Sequence, residues 1–155
     1  MALKVTEKRQ RKFDRMLARF NKQTWQKCRS DVAKTFQAMI RMEAADDDGD
    51  CVCVTCLRVH QWNSGKINAG HFHSRRHTGT LWDERNCHPQ CVYCNQFLSG
   101  NIQAYAYYMI ETYSEQELVE LSRKTKEEIN YTLAELVEIR MGFMDRIKVQ
   151  KKRLA

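Results

Sequence analysis

Between residues 6 and 44 the chain contains neither Gly nor Pro, and its apolar residues recur at helical spacing. Phe13, Met16, Leu17 and Phe20 form one stripe; Trp25, Cys28, Val32, Phe36, Met39 and Ile40 form a second. The polar run 21–24 separates them and predicts either a bend or a second helix capped by Asn21 or Thr24. The acidic run "ADDDGD" at 45–50 suits a helix C-terminus poorly and ends the second stripe, with Gly49 marking a turn. A Ca²⁺ loop is not expected there, because the rest of the required oxygen pattern is missing.

From Cys51 to Asn101 the pattern changes to short pieces punctuated by Gly. "CVCVTC" and "GKINAGHFH" each predict a short strand, joined by a turn near Asn63, Ser64 and Gly65. Helical patterning returns with "AYAYYMIETY". Ser114 with Glu117, and Thr125 with Glu128, match capping boxes and predict helix starts near 115 and 126. The last helix would direct Ile129, Leu133, Leu136, Val137 and Ile139 toward a partner before running out into "RIKVQKKR". The layout is a mostly helical α+β fold: a helical arm over 1–48, a small centre over 49–113, and C-terminal helices over 114–155.

Composition sharpens this picture. At 155 residues and 43% apolar content, one folded domain is expected rather than disorder. The net charge is +7, and residues 1–45 carry twelve basic against four acidic side chains. That arm favours a polyanion, nucleic acid being the commonest; the plainer alternative is a solvated helix face. No apolar run is long enough for a membrane span and the N-terminus carries no secretory pattern, so a cytoplasmic protein without membrane contact is expected. In that compartment paired cysteines more often hold metal than form disulfides.

Seven cysteines cannot all pair with one another. Cys53-Val-Thr-Cys56 and Cys91-Val-Tyr-Cys94 are two C-x₂-C knuckles, and together they offer the four soft ligands of a tetrahedral structural Zn²⁺. Cys28 and Cys87 read as small buried hydrophobes, and Cys51 is a poorer substitute for Cys53. With few large apolar residues between 50 and 100, zinc would supply stability that burial cannot.

The zinc leaves His71, His73, Asn86, His88 and Asn95 without an assigned role. Metal-assisted phosphodiester hydrolysis needs a neutral imidazole to activate water, a hard cation, and a group that holds the loop carrying the imidazole. Asn suits that last role, because its amide both donates and accepts. For His73, His77 and His88 the plainer alternative is phosphate contact or structural hydrogen bonding. The tyrosines at 105, 107, 108 and 113 read as helix packing rather than base-stacking platforms.

An "AGH" segment, an Asn five residues before a C-x₂-C, and an Asn directly after the last Cys resemble the HNH (ββα-metal) nuclease pattern. The longer string "AGHFHSRR…LWDERNCHPQCVYCNQFLSGN" resembles the NinG/Rap recombination family of lambdoid phages, and is more distantly similar to endonuclease VII. The resemblance spans about residues 53–110. It implies a treble-clef-like ββα-metal centre and cleavage of branched DNA such as Holliday junctions or D-loops. It further implies His71 as general base, Asn86 as the loop-orienting residue, and Asn95 as a ligand of a catalytic Mg²⁺ or Mn²⁺. Gly70 stands where many such nucleases carry a metal-binding Asp, so either a second ligand comes from His73 or His88, or the metal is held weakly. Arg75, Arg76 and Arg85, with Lys12, Arg15 and Arg19 of the arm, are the expected DNA contacts. Two incisions on a four-way junction would suit a homodimer, formed through the apolar faces at 32–40 and 133–137; the plainer alternative is that the N- and C-terminal helices pack on each other within one chain. The rival expectations are a zinc-bearing nucleic-acid-binding module without catalysis, or a protein that recruits recombination factors.

Overall fold

The computed structural model describes the backbone of residues 2–155 and the side chains of residues 6–155, so Met1 and the Lys4 side chain of the basic arm lie outside the described residues. The chain is α+β and mostly helical. Helix α1 (Ala2–Phe20) stops at the polar run, and α2 (Trp25–Ala44) starts a separate helix. Thr24 rather than Asn21 is the cap: its Oγ1 accepts from the Lys27 amide at 3.3 Å. α2 ends where expected, and Gly49 turns the chain with φ of 82°. Asp46 Oδ1 accepts from the Asp48 and Asp50 amides, so this acidic run builds its own turn.

The strands pair differently from the expectation. β1 (Asp50–Val52) pairs antiparallel with β2 (Val59–Gln61), and β3 (Ile67–His71) pairs antiparallel with β4 (Cys87–Cys91). The turn at 63–65 therefore joins β2 to β3, and the two predicted strands belong to different hairpins. β4 is hidden in sequence because it contains Pro89, which donates no ladder hydrogen bond.

α3 (Ile102–Thr112) and α4 (Glu115–Lys124) follow, and Ser114 and Glu117 form the expected capping box of α4. The second expected box does not form. Thr125 closes α4, its hydroxyl donating to the Ser122 carbonyl at 2.7 Å. The next segment runs extended past the Thr78 loop, where the Ile129 amide donates to Thr78 Oγ1 at 2.7 Å. α5 (Leu133–Arg153) begins only after an equivalent Thr132–Glu135 box. Two boxes compete for one start, and the tertiary contact at Ile129 selects the later one.

The β3–β4 hairpin lies between two apolar clusters. On one face Ala69 and Cys87 join Phe20, Val32, Phe36, Met39, Leu136, Val137 and Met141. On the other, Tyr105, Met109 and Leu121 form a smaller core of α3 and α4. Val32, Phe36, Leu136 and Val137 are fully buried, so the faces from which a homodimer is expected are used up within one chain. Any pairing of two chains must use another surface. Among the described residues, no helix is long and apolar enough to cross a membrane.

Candidate metal and phosphate-chemistry site

The two knuckles meet where β1 and β4 end. The Val54 amide donates to the Pro89 carbonyl at 3.0 Å, and Leu57, at φ 61°, closes the first knuckle by donating to the Cys53 carbonyl at 2.9 Å. The sulfurs of Cys53, Cys56, Cys91 and Cys94 all lie within 4.8 Å of one another, with Cys56 and Cys91 3.7 Å apart. A tetrahedron with Zn–S bonds of about 2.3 Å has edges of about 3.8 Å, so this quartet fits a metal such as zinc. Donors surround it: the Cys94 amide reaches Cys91 Sγ at 3.4 Å, and Asn101 Nδ2 reaches Cys94 Sγ at 3.7 Å. Burial pushes the Cys53 thiol up, but hydrogen bonds from the Thr55 hydroxyl and nearby amides outweigh it and bring the thiol down to about 6. Such donors favour the thiolate that a metal needs. Cys51 is outside the quartet, with its thiol donating to the Arg41 carbonyl at 3.0 Å.

His71 ends β3 and lines a polar cleft of about 330 Å³ together with Asn95, Asn68, Gln37, Ser74 and Arg75. Its Nε2 lies 3.4 Å from the Leu81 carbonyl and its Nδ1 3.6 Å from Cys87 Sγ. Burial, with Arg75 adding repulsion, lowers its pKa to about 4, so the imidazole is neutral at neutral pH. Donation from Nε2–H to Leu81 leaves Nδ1 as the accepting nitrogen, with the Cys87 thiol as its neighbour.

Asn86 is fully buried and spans the loop after His71. Its Oδ1 accepts from the His73 amide at 2.7 Å, while Nδ2 donates to the carbonyls of His73 at 3.1 Å and Thr80 at 3.2 Å. The Phe72 amide donates to the Asn86 carbonyl at 2.9 Å. Both ends of the loop are thereby tied to the start of β4. Asn95 sits in a π-helical turn (Tyr93–Phe97) that continues directly from the second knuckle.

Other expected residues lie elsewhere. His88 is not available to a metal: it faces the opposite side of the hairpin, with Nδ1 3.0 Å from the Tyr105 hydroxyl and Nε2 2.8 Å from that of Tyr113. Register explains this, because His71 pairs with Cys87 and Gly70 pairs with His88, and adjacent pairs point to opposite faces. His73 does not line the cleft; its ring packs on Phe72 at 4.8 Å. Tyr105 is buried as expected, whereas Tyr107 is exposed. Arg85 is locked to Asp83 at 2.8 Å and Glu120 at 3.0 Å, Lys12 to Asp145 at 2.9 Å, and Arg19 to Asp31 at 3.0 Å. Each of these three cations thus has a carboxylate partner within the chain, and that of Lys12 lies on the surface. Arg15 donates to the Arg11 carbonyl at 3.2 Å along α1, and Arg75 and Arg76 are exposed.

Gln37 and Asn68 are cleft residues without a signal of their own in sequence: one lies on an ordinary helix, the other three positions before His71. None of the described residues lining the cleft is acidic. The missing Asp has a steric cause. A Cβ at Gly70 would meet Gln90 Cβ at 3.0 Å and Gln90 Oε1 closer still, and Gln90 is fully buried with its amide nitrogen on the Gly100 carbonyl. Gly70→Asp is therefore expected to destabilise the fold by about 1–3 kcal/mol through overpacking, rather than to complete a metal site. A thermal melt that leaves the variant as stable as the parent, with Mg²⁺ bound more tightly, would reverse this reading.

The sequence has relatives along most of its length. A family profile described as "NinG: Bacteriophage Lambda NinG protein" matches residues 2–153. The chain is 31% identical to Protein ninG of Escherichia phage 933W over 125 residues, covering 79% of this chain and 59% of that protein. Protein ninG of Salmonella phage P22 is similar at 31% identity, and that of Escherichia phage lambda at 30%, with 79% of this chain covered in each case. The chain thus spans under two thirds of the length of these curated relatives, 59% and 58% for the last two. No solved structure matches.

Proposed function

The chain belongs to the NinG family, and from that premise we propose that it is a zinc-stabilised, divalent-metal-dependent DNA endonuclease of the HNH (ββα-metal) type, acting in the host cytoplasm on branched recombination intermediates. The observation that carries the reading is the cleft in which a neutral, half-buried imidazole faces an Asn fixed directly to the metal-binding knuckle. His71 takes the proton of the attacking water at Nδ1, while its Nε2–H holds the Leu81 carbonyl. Asn86 fixes the loop so that the ring does not swing away. Arg75, at the rim, orients the scissile phosphate. In-line attack then leaves a 3′-hydroxyl and a 5′-phosphate.

The cleft suits Mg²⁺ or Mn²⁺ only in part. Asn95 offers an amide oxygen, Asn68 and Gln37 offer others, and hard cations accept such neutral ligands alongside water and phosphate. When bound, the cation would neutralise charge developing on the leaving oxygen. Holding it by neutral groups alone implies weak binding that depends on the DNA phosphate. Two incisions on one junction call for two chains, one cleft each.

A panel of four-way junctions, D-loops and linear duplexes, incubated with and without Mg²⁺, tests the reading. Cleavage of branched DNA that requires the cation is expected, and Asn95→Ala should raise the half-maximal cation concentration several-fold. An unchanged titration removes Asn95 from the site. The absence of an acidic residue lining the cleft favours the second reading, a zinc-bearing DNA-binding or recombination-factor-binding protein without catalysis. DNA binding with no incision of any substrate would establish it.

A further inference from the structure

Beside the cleft lies a larger recess of about 660 Å³, lined among others by Trp25, Arg29, Ser74, Arg75, Arg76 and Trp82. It shares Ser74 and Arg75 with the His71 cleft, so the two open onto one continuous surface. None of the described residues lining it is acidic. Half of the expected DNA-binding cations (Lys12, Arg19 and Arg85) are held by carboxylates, but Arg29, Arg75 and Arg76 have no acidic partner among the described residues. Three guanidiniums lining one recess without counter-charge favour a phosphate there.

The recess also has a flat wall. Trp25 is partly exposed, and its indole N–H donates to the Tyr131 carbonyl at 3.0 Å, which fixes the ring plane. The Arg29 guanidinium lies 5.7 Å from the centre of that ring, while its Nη2 donates to the Arg75 carbonyl at 2.9 Å. One side chain therefore couples the aromatic wall to the loop that carries Arg75 and Arg76. Aromatic and guanidinium planes together receive a nucleobase by stacking. A base inside a duplex is already stacked on both faces and is not available to such a wall.

Resting on the endonuclease reading, we propose that this recess is a subsite for an unpaired nucleotide, its base against the Trp25–Arg29 wall and its phosphate on Arg75 and Arg76. Because Arg75 belongs to both surfaces, the unpaired nucleotide sits next to the scissile phosphate. Preference for D-loops over continuous duplex then follows from structure, because a displaced strand supplies unpaired bases; a fully paired four-way junction would have to open a base pair at its crossover to use the subsite.

The test measures binding in EDTA, so that it needs no cleavage. The probes are a short oligothymidylate, an abasic strand with the same number of phosphates, and a blunt duplex. The protein is expected to hold the oligothymidylate about tenfold more tightly than the abasic strand. Trp25→Leu should close that gap, with affinity for the abasic strand unchanged. Arg75→Ala with Arg76→Ala should weaken both strands and flatten the salt dependence. Equal affinity of the parent protein for the two single strands, with duplex binding intact, overturns the subsite and leaves the nuclease reading standing. A gap that persists in a Trp25→Leu variant with parental circular dichroism overturns it too. Failure to bind any of the three probes would remove the nucleic-acid reading itself.

Discussion

A His71→Ala variant is expected to lose cleavage by about two to four orders of magnitude, the range typical of a missing general base, while keeping its affinity for DNA. In the proposed reaction the imidazole acts on the attacking water rather than on phosphate, so binding does not report on it. Single-turnover cleavage of a four-way junction beside an anisotropy titration separates the two effects. Retention of more than about a tenth of parental turnover would exclude His71 as the base. The pH profile offers a second handle. A general base must be unprotonated, so activity falls as pH drops through its pKa; burial lowers that of His71 from 6.5 to about 4. Cleavage should accordingly be undiminished by His71 protonation at pH values around 6, and its acid limb should lie well below that of an exposed histidine.

Cys91→Ser is expected to release the metal and unfold the centre of the protein. Structural zinc contributes about 10–16 kcal/mol in small zinc domains, comparable with the whole stability of a typical domain at about 5–15 kcal/mol. The damage should spread, because Cys91 is also the last residue of β4 and pairs with Ile67. Loss of that pairing frees the hairpin that positions His71 between the two apolar clusters. Elemental analysis should find one zinc per chain in the parent and none in the variant, and the variant's circular dichroism should show a lower melting transition. A parent without zinc, or a variant that keeps both metal and fold, would remove the quartet from its structural role.

The parts of this fold that are legible in sequence are those governed by neighbours within a few residues. Helical stripes identify α1 and α2, the Ser114–Glu117 box identifies the start of α4, and two C-x₂-C knuckles identify the sulfur quartet. What stays hidden depends on partners far along the chain. Thr125 and Thr132 carry equivalent capping patterns, and only contact with the Thr78 loop decides between them. His71 and His88 are both histidines on one hairpin, yet the register sends one into the cleft and the other between two tyrosines. Charge misleads in the same way: Arg85 and Arg75 look equivalent until Asp83 and Glu120 fold in beside the first. The reason for Gly70 is likewise tertiary, set by the buried amide of Gln90 across the ladder.

The junction of α2 with α5 has a consequence for how the protein is made. Arg153 donates to the Met42 and Ala45 carbonyls at 2.8 Å, and Arg146 clamps Glu43 and Glu84. Leu136, Val137 and Met141 close over Val32, Phe36 and Met39. These surfaces lie far apart along the sequence. During translation the apolar face of α2 leaves the ribosome long before its cover exists, and closing so long a loop is slow. Until residues 133–143 emerge, the nascent chain presents a sticky, positively charged amphipathic helix to everything in its surroundings. The interval between synthesis of α2 and α5 is therefore the period in which that face is open to aggregation.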